Sequence, residues 1–87
     1  MVSQTTKIIN EMGFHMRPAN VFVTAMAKYT SNINIIMNNK KINGKSIMNI
    51  MASCIKYGTE ITIECDGPDE KEMLSEAINM IESGFGE

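Results

Sequence analysis

Apolar and polar positions recur with two periods along this chain, and those periods divide it into strands and helices. Thr5 to Ile9 are β-branched apart from Lys7 and end at Asn10, which predicts a first strand followed by a turn or loop over Glu11-Met12-Gly13. From Pro18 onward, Ala19, Phe22, Val23 and Met26 fall on one helical stripe. Proline suits a first helical turn because its missing N–H costs no hydrogen bond there, so this helix starts directly after His15. Ile33, Ile35 and Met37 alternate with Asn32, Asn34 and Ile36, the pattern of a strand with one buried face. Asn38-Asn39 tolerates the positive φ angles of a tight hairpin, with Lys40 to Ile42 as the return strand. The Ser46 hydroxyl suits the N-cap of a short helix over Ile47 to about Ser53. Glu60 to Cys65 alternates again, with Ile61, Ile63 and Cys65 on one face. Asp66-Gly67-Pro68 ends that strand, and Asp69 with Glu72 three residues later predicts a capping box. In the helix that follows, Met73, Ala77, Met80 and Ile81, joined by Leu74 and Ile78, form the apolar stripe, and Gly84 ends it.

The element order is β-α-β-β-α-β-α. One-sided strands and amphipathic helices predict an α+β fold, an open-faced two-layer sandwich with a four-stranded antiparallel sheet and three helices on one face. At 87 residues a single domain over 1–87 is expected, since two cores cannot be built from so few side chains. A net charge of −2 and few aromatic residues argue against direct nucleic-acid binding. Partners are then proteins or small anions. Nothing resembles a secretory leader or a membrane span, so a soluble cytoplasmic chain with Cys54 and Cys65 as free thiols is expected. Cys54 reads as a small buried hydrophobe. No metal site and no cofactor are expected.

The chemistry concentrates at Gly13-Phe14-His15-Met16-Arg17-Pro18-Ala19, which sets the chain's one histidine at a helix start with an arginine two residues on. The leading N–H groups of a helix lack internal partners and carry its positive end, so the Met16 and Arg17 amides can hold phosphate oxygens. The Arg17 guanidinium adds a planar fork of donors for the same oxygens. An imidazole, with an ordinary pKa of about 6.5, offers a neutral nitrogen nucleophile near neutral pH. On spacing alone, a solvated or capping histidine is the more frequent outcome.

The segment GFHMRPA is similar to the Gly-Leu-His-Ala-Arg-Pro-Ala signature of HPr histidine phosphocarriers. The likeness continues through Gly44-Lys45-Ser46-Ile47-Met48-Asn49-Ile50-Met51, through Tyr57-Gly58-Thr59-Glu60-Ile61-Thr62-Ile63, and into Gly84-Phe85-Gly86-Glu87. The resemblance implies that His15 receives a phosphoryl group on Nδ1 from phosphoenolpyruvate by way of enzyme I. It then passes the group to sugar-specific enzyme II components, the enzyme IIA proteins among them, with Arg17 stabilising the phosphoryl group. The chain is on this reading a carrier with a transient phosphohistidine, not an enzyme, and a monomer. Ser46 matches the serine that HPr kinase/phosphorylase modifies in low-GC Gram-positive bacteria, where the product binds the catabolite control protein and carries carbon catabolite repression. Plain helix capping by Ser46 is the alternative, and both can hold together.

Ile47, Met48 and Met51 are expected to give a docking patch beside His15, with Ile50 in the core, because methionine adapts to several partners. Thr24 and Lys28 on the first helix would border it, Lys28 steering acidic partners or simply standing in solvent. Departures from the family pattern are Met16 for alanine, Asn20 for a small residue, and Ser53-Cys54 for Leu-Gly. Two other readings remain open. One is a regulatory paralogue that keeps Ser46 signalling; its known members lack the histidine. The other is a ferredoxin-like binding or acyl-phosphate-hydrolysing domain, which lacks the last helix.

Overall fold

The computed structural model describes residues 1–86; Glu87, the last residue of the C-terminal motif, lies outside the described residues. The observed elements are β1 (Val2–Lys7), α1 (Met16–Met26), β2 (Asn32–Met37), β3 (Lys40–Asn43), α2 (Ile47–Ala52), β4 (Glu60–Asp66) and α3 (Glu70–Glu82), followed by a short 3-10 turn (Gly84–Gly86). All strand pairs are antiparallel, in the order β1-β4-β2-β3. Register places Ile35 opposite both Ile63 and Ile42, and Ile33 opposite Cys65. Because side chains alternate across a strand, these residues point to one face, where they are buried together with Ile61. The three helices cover that face with Ala19, Phe22, Met26, Ile50, Met73, Ala77 and Ile81, and one continuous core results. Each large apolar side chain fully buried there contributes about 1.5–3 kcal/mol. Among the described residues no helix is long and apolar enough to cross a membrane.

Several expected boundaries move, each for a local reason. The first strand is Val2–Lys7 and not Thr5–Ile9, because Lys7 lies opposite Glu60, the first residue of β4, and the ladder has no further partner. Ile8 instead exchanges hydrogen bonds with the turn before β4, its N–H to Thr59 O at 3.1 Å and its C=O from Gly58 N at 2.8 Å. Helix α1 begins at Met16, directly after His15 as expected, with Pro18 in its first turn. The Asn38-Asn39 hairpin forms as expected, both residues at positive φ. Cys54 is exposed, contrary to the buried position expected of it, because it takes the left-handed conformation (φ 53°) that ends α2. Glycine normally occupies that conformation. Both cysteines are free, and burial pushes the Cys65 thiol up to about 11.

The expected Asp69–Glu72 capping box does not form. Asp69 stands at the helix start, yet its carboxylate turns away to accept from Thr30 N at 3.0 Å, from Ser31 N at 2.9 Å and from the Ser31 hydroxyl. Its own N–H donates to Ser31 Oγ at 3.1 Å. Asp69 thus ties the loop before β2 to the start of α3, leaving Glu70 to accept from Gly67 N. These bonds, the Ser31 hydroxyl first, hold the Asp69 carboxyl down at about 2 from an ordinary 3.8. A depressed folded-state pKa gives stability that is present above the unfolded value and is lost as pH falls through the folded one. Urea unfolding followed from pH 5 to pH 2 should therefore show a stability loss in the parent chain that is clearly smaller in Asp69→Asn. Parallel curves would mean that these bonds do not favour the ionised carboxylate.

Candidate functional site

His15 is placed by two anchored residues that precede it. The Gly13 N–H donates to Asn10 O at 3.0 Å, and Asn10 Nδ2 donates to Gly13 O at 2.5 Å, which closes a turn with Gly13 at φ 71°. The Phe14 N–H donates to Ile55 O at 2.9 Å. The Phe14 ring enters the core, 4.7 Å from Phe85 and edge-on to Phe22 at 5.4 Å. With Phe14 pinned inward, His15 emerges half-buried at the surface as the N-cap of α1.

The backbone there is extended (φ −85°, ψ −171°), and the His15 side chain makes no capping hydrogen bond to the helix. Only its carbonyl serves α1, accepting from Ala19 N at 3.0 Å. Pro18 has no N–H, so the Met16 and Arg17 amides are the first-turn donors without a helical acceptor. No acidic side chain occupies the first turn of α1 to neutralise its positive end. Arg17 is exposed and forms no ion pair among the described residues. Chemically, an imidazole at a helix start with two amides lacking a helical acceptor, and a guanidinium two residues on in the sequence, are groups suited to an anion.

Ser46 immediately precedes α2, which packs beside α1. It is the N-cap expected of it, its Oγ accepting from Asn49 N at 3.2 Å. On the same short helix Ile50 is fully buried, Ile47 and Met51 are half-buried, and Met48 is 81% exposed. Along α1, Met16, Asn20 and Thr24 recur every fourth residue and all are exposed, so they share one stripe.

Lys28 is not on the first helix. Helix α1 ends at Met26, and at about 1.5 Å per residue its length separates Lys28 from His15. Lys28 Nζ instead pairs with Glu76 of α3 at 2.7 Å, and the Tyr29 hydroxyl donates to the same carboxylate at 2.5 Å. That bond to an anion pushes the Tyr29 phenol up to about 12, while Lys28 and Tyr29 together lower Glu76. Sequence reading also left out what positions His15: the Asn10–Gly13 turn, the Ile55 carbonyl and the phenyl cluster. Gly13 was the one available signal. A cleft of about 340 Å³ between β3 and α2, lined by Lys40, Lys41, Ile42, Asn49, Ala52 and Ser53, contains none of the site residues above.

The family model described as "PTS HPr component phosphorylation site" matches residues 2–83. The chain is 51% identical to the phosphocarrier protein HPr of Mycoplasma capricolum over 67 residues, 77% of this chain and 75% of that one. It is 37% identical to the phosphocarrier protein HPr of Neisseria meningitidis serogroup A over 87 residues, 100% of this chain and 98% of the other. Its structure superposes on the crystal structure of HPr-C-His from Thermoanaerobacter tengcongensis with a TM-score of 0.96 at 40% identity, covering 100% and 98% of the two chains.

Proposed function

The chain belongs to the HPr family of phosphocarriers of the phosphotransferase system, and from that premise we propose that His15 is its phosphoryl acceptor and donor. One observation carries this reading. His15 is the N-cap of α1, at a helix start where the Met16 and Arg17 amides have no helical acceptor and no acid stands in the first turn. A lone pair of the imidazole, on Nδ1 by the family resemblance, attacks phosphorus as the bond to the donor breaks, and the donor keeps that bond's electron pair. The Met16 and Arg17 amides and the Arg17 guanidinium face the negative charge that remains on the phosphoryl oxygens. The step reverses when an acceptor replaces the donor.

The donor is phospho-enzyme I and the acceptors are sugar-specific enzyme IIA proteins in the cytoplasm, both docking on Met16, Thr24, Ile47, Met48 and Met51. Helix α2 gives this surface its adaptable apolar part. Modification of Ser46 by HPr kinase/phosphorylase would set about two negative charges at the start of α2. A helix start tolerates that charge, whereas an acidic partner is repelled by it, and the catabolite control protein gains an anion to recognise.

A relay assay tests the carrier role. Phosphoenolpyruvate, enzyme I and an enzyme IIA should label the enzyme IIA only when this chain is added; equal labelling without it, or none with it, contradicts the proposal. In the same assay Arg17→Ala should slow transfer about tenfold or more, since charged donors to phosphate are strong contacts. Its urea midpoint should stay close to the parent's, because Arg17 is exposed and unpaired among the described residues. A matching loss of stability would make Arg17 structural. With the kinase and ATP, mass spectrometry should find one phosphate on Ser46; an unmodified Ser46 leaves only the cap.

A further inference from the structure

Nine residues of the chain are methionine, and their burial runs from complete to slight, with Met37, Met51 and Met80 half-buried. Met26 and Met73 are fully buried, whereas Met16 is 58% exposed and Met48 is 81% exposed. The two exposed thioethers lie on the packed helices α1 and α2, Met16 next to His15 in sequence and Met48 two residues after Ser46. Resting on the carrier reading above, we propose that Met16 and Met48 are a reversible oxidation site through which peroxide lowers phosphoryl transfer.

The chemistry balances within the pair of reactants. Thioether sulfur attacks one peroxide oxygen, the O–O bond breaks, a sulfur–oxygen bond forms, and the peroxide is reduced by two electrons with release of water. A thiol-dependent methionine sulfoxide reductase reverses the change, its thiols ending as a disulfide. The sulfoxide replaces an adaptable apolar group with a polar, chiral one.

At the first residue of α1 the new oxygen is a strong acceptor with partial negative charge. It competes with a phosphoryl group for Arg17 and for the amides of that turn, and it repels the phosphoryl oxygens. On α2 it places a polar group in the middle of an apolar contact surface. Met12 is 73% exposed and Met1 is 69% exposed, but neither lies on these two helices, so they report oxidation without the proposed effect. Buried Met26 and Met73 report unfolding. Cys54 is an exposed thiol that peroxide also attacks, so it is replaced by serine in every arm.

The experiment treats Cys54→Ser protein with hydrogen peroxide and maps each methionine by mass spectrometry. Labelling by enzyme I and phosphoenolpyruvate is timed before treatment, after it, and after repair by sulfoxide reductase. Met16 and Met48 should each gain one oxygen while Met26 and Met73 gain none. The labelling rate should fall about fivefold or more and return on repair, because a docking contact and a phosphate neighbour are both altered. In Met16→Leu/Met48→Leu, the ratio of treated to untreated rate should stay near one. An unchanged rate with both methionines oxidised overturns the proposal, as does an equal fall in the double leucine variant or oxygen confined to Met26 and Met73. Untreated protein that takes no label at all overturns the carrier reading itself, and the proposal with it.

Discussion

His15→Ala will take no phosphoryl group from phospho-enzyme I, yet will unfold in urea within about 1 kcal/mol of the parent chain, as surface substitutions usually do. The first half follows from nucleophile chemistry. Alanine supplies no nitrogen lone pair, and His15 is the chain's one histidine, so no neighbouring imidazole can substitute. The second half follows from how the residue is held. His15 serves helix α1 through its carbonyl, which alanine keeps, and its side chain makes no capping bond to the helix. The anchors are one and two residues earlier, in the Phe14 ring and the Gly13 turn. Circular dichroism across a urea titration, beside the labelling assay, separates the two. Labelling of the variant at the parent's rate would place the acceptor elsewhere, and a collapse of stability would make His15 a structural residue.

Gly13→Ala will do the reverse, harming the fold and through it the site, at a cost of about 2–4 kcal/mol. Gly13 sits at φ 71°, where a β-carbon is strained. Space is also closed: that carbon would lie 2.7 Å from the Ile55 carbonyl oxygen and 2.9 Å from Lys56 Cα. Both are backbone atoms and cannot swing aside as a flexible side chain would. The contact also falls beside the bond from Phe14 N to Ile55 O that fixes the loop before His15. Gly58→Ala is the control, since its φ of 80° carries the same conformational strain with nothing within 4 Å. It should cost about 1 kcal/mol, the conformational part alone. In a chain of this size the Gly13 variant should melt about 10 °C or more below the parent, and its labelling should slow because His15 has shifted. Equal melting temperatures for the two variants would show that the loop opens without strain.

Much of this arrangement was legible in the residues because local pattern and tertiary role agree. Alternation over Glu60 to Cys65 marked the face that is buried, and the Pro18 start with Ala19, Phe22 and Met26 marked the stripe that α1 turns inward. Ser46 was readable as a cap because capping is a local bond to a residue three positions on. Failures came where a residue answers to something distant in sequence. Asp69 reads as a cap by its neighbours, but the Thr30 and Ser31 amides, 39 and 38 positions away, claim its carboxylate. Lys28 reads as a surface charge until α3 brings Glu76 to it. Cys54 reads as a small hydrophobe, since composition does not reveal that its backbone must turn left-handed to end α2. At the site, His15 and Arg17 stand in one motif, whereas the Ile55 carbonyl and Phe85 that hold the motif in place come from the middle and the end of the chain.

The most direct measurement is the position and chemistry of the phosphate that enzyme I transfers from phosphoenolpyruvate to the wild-type chain. The carrier reading predicts one phosphate per chain, lost in acid, retained in alkali, and mapped to His15 by phosphorus–nitrogen coupling in the NMR spectrum of labelled protein. A chain that takes no phosphate, or takes an acid-stable one on a hydroxyl, would contradict it.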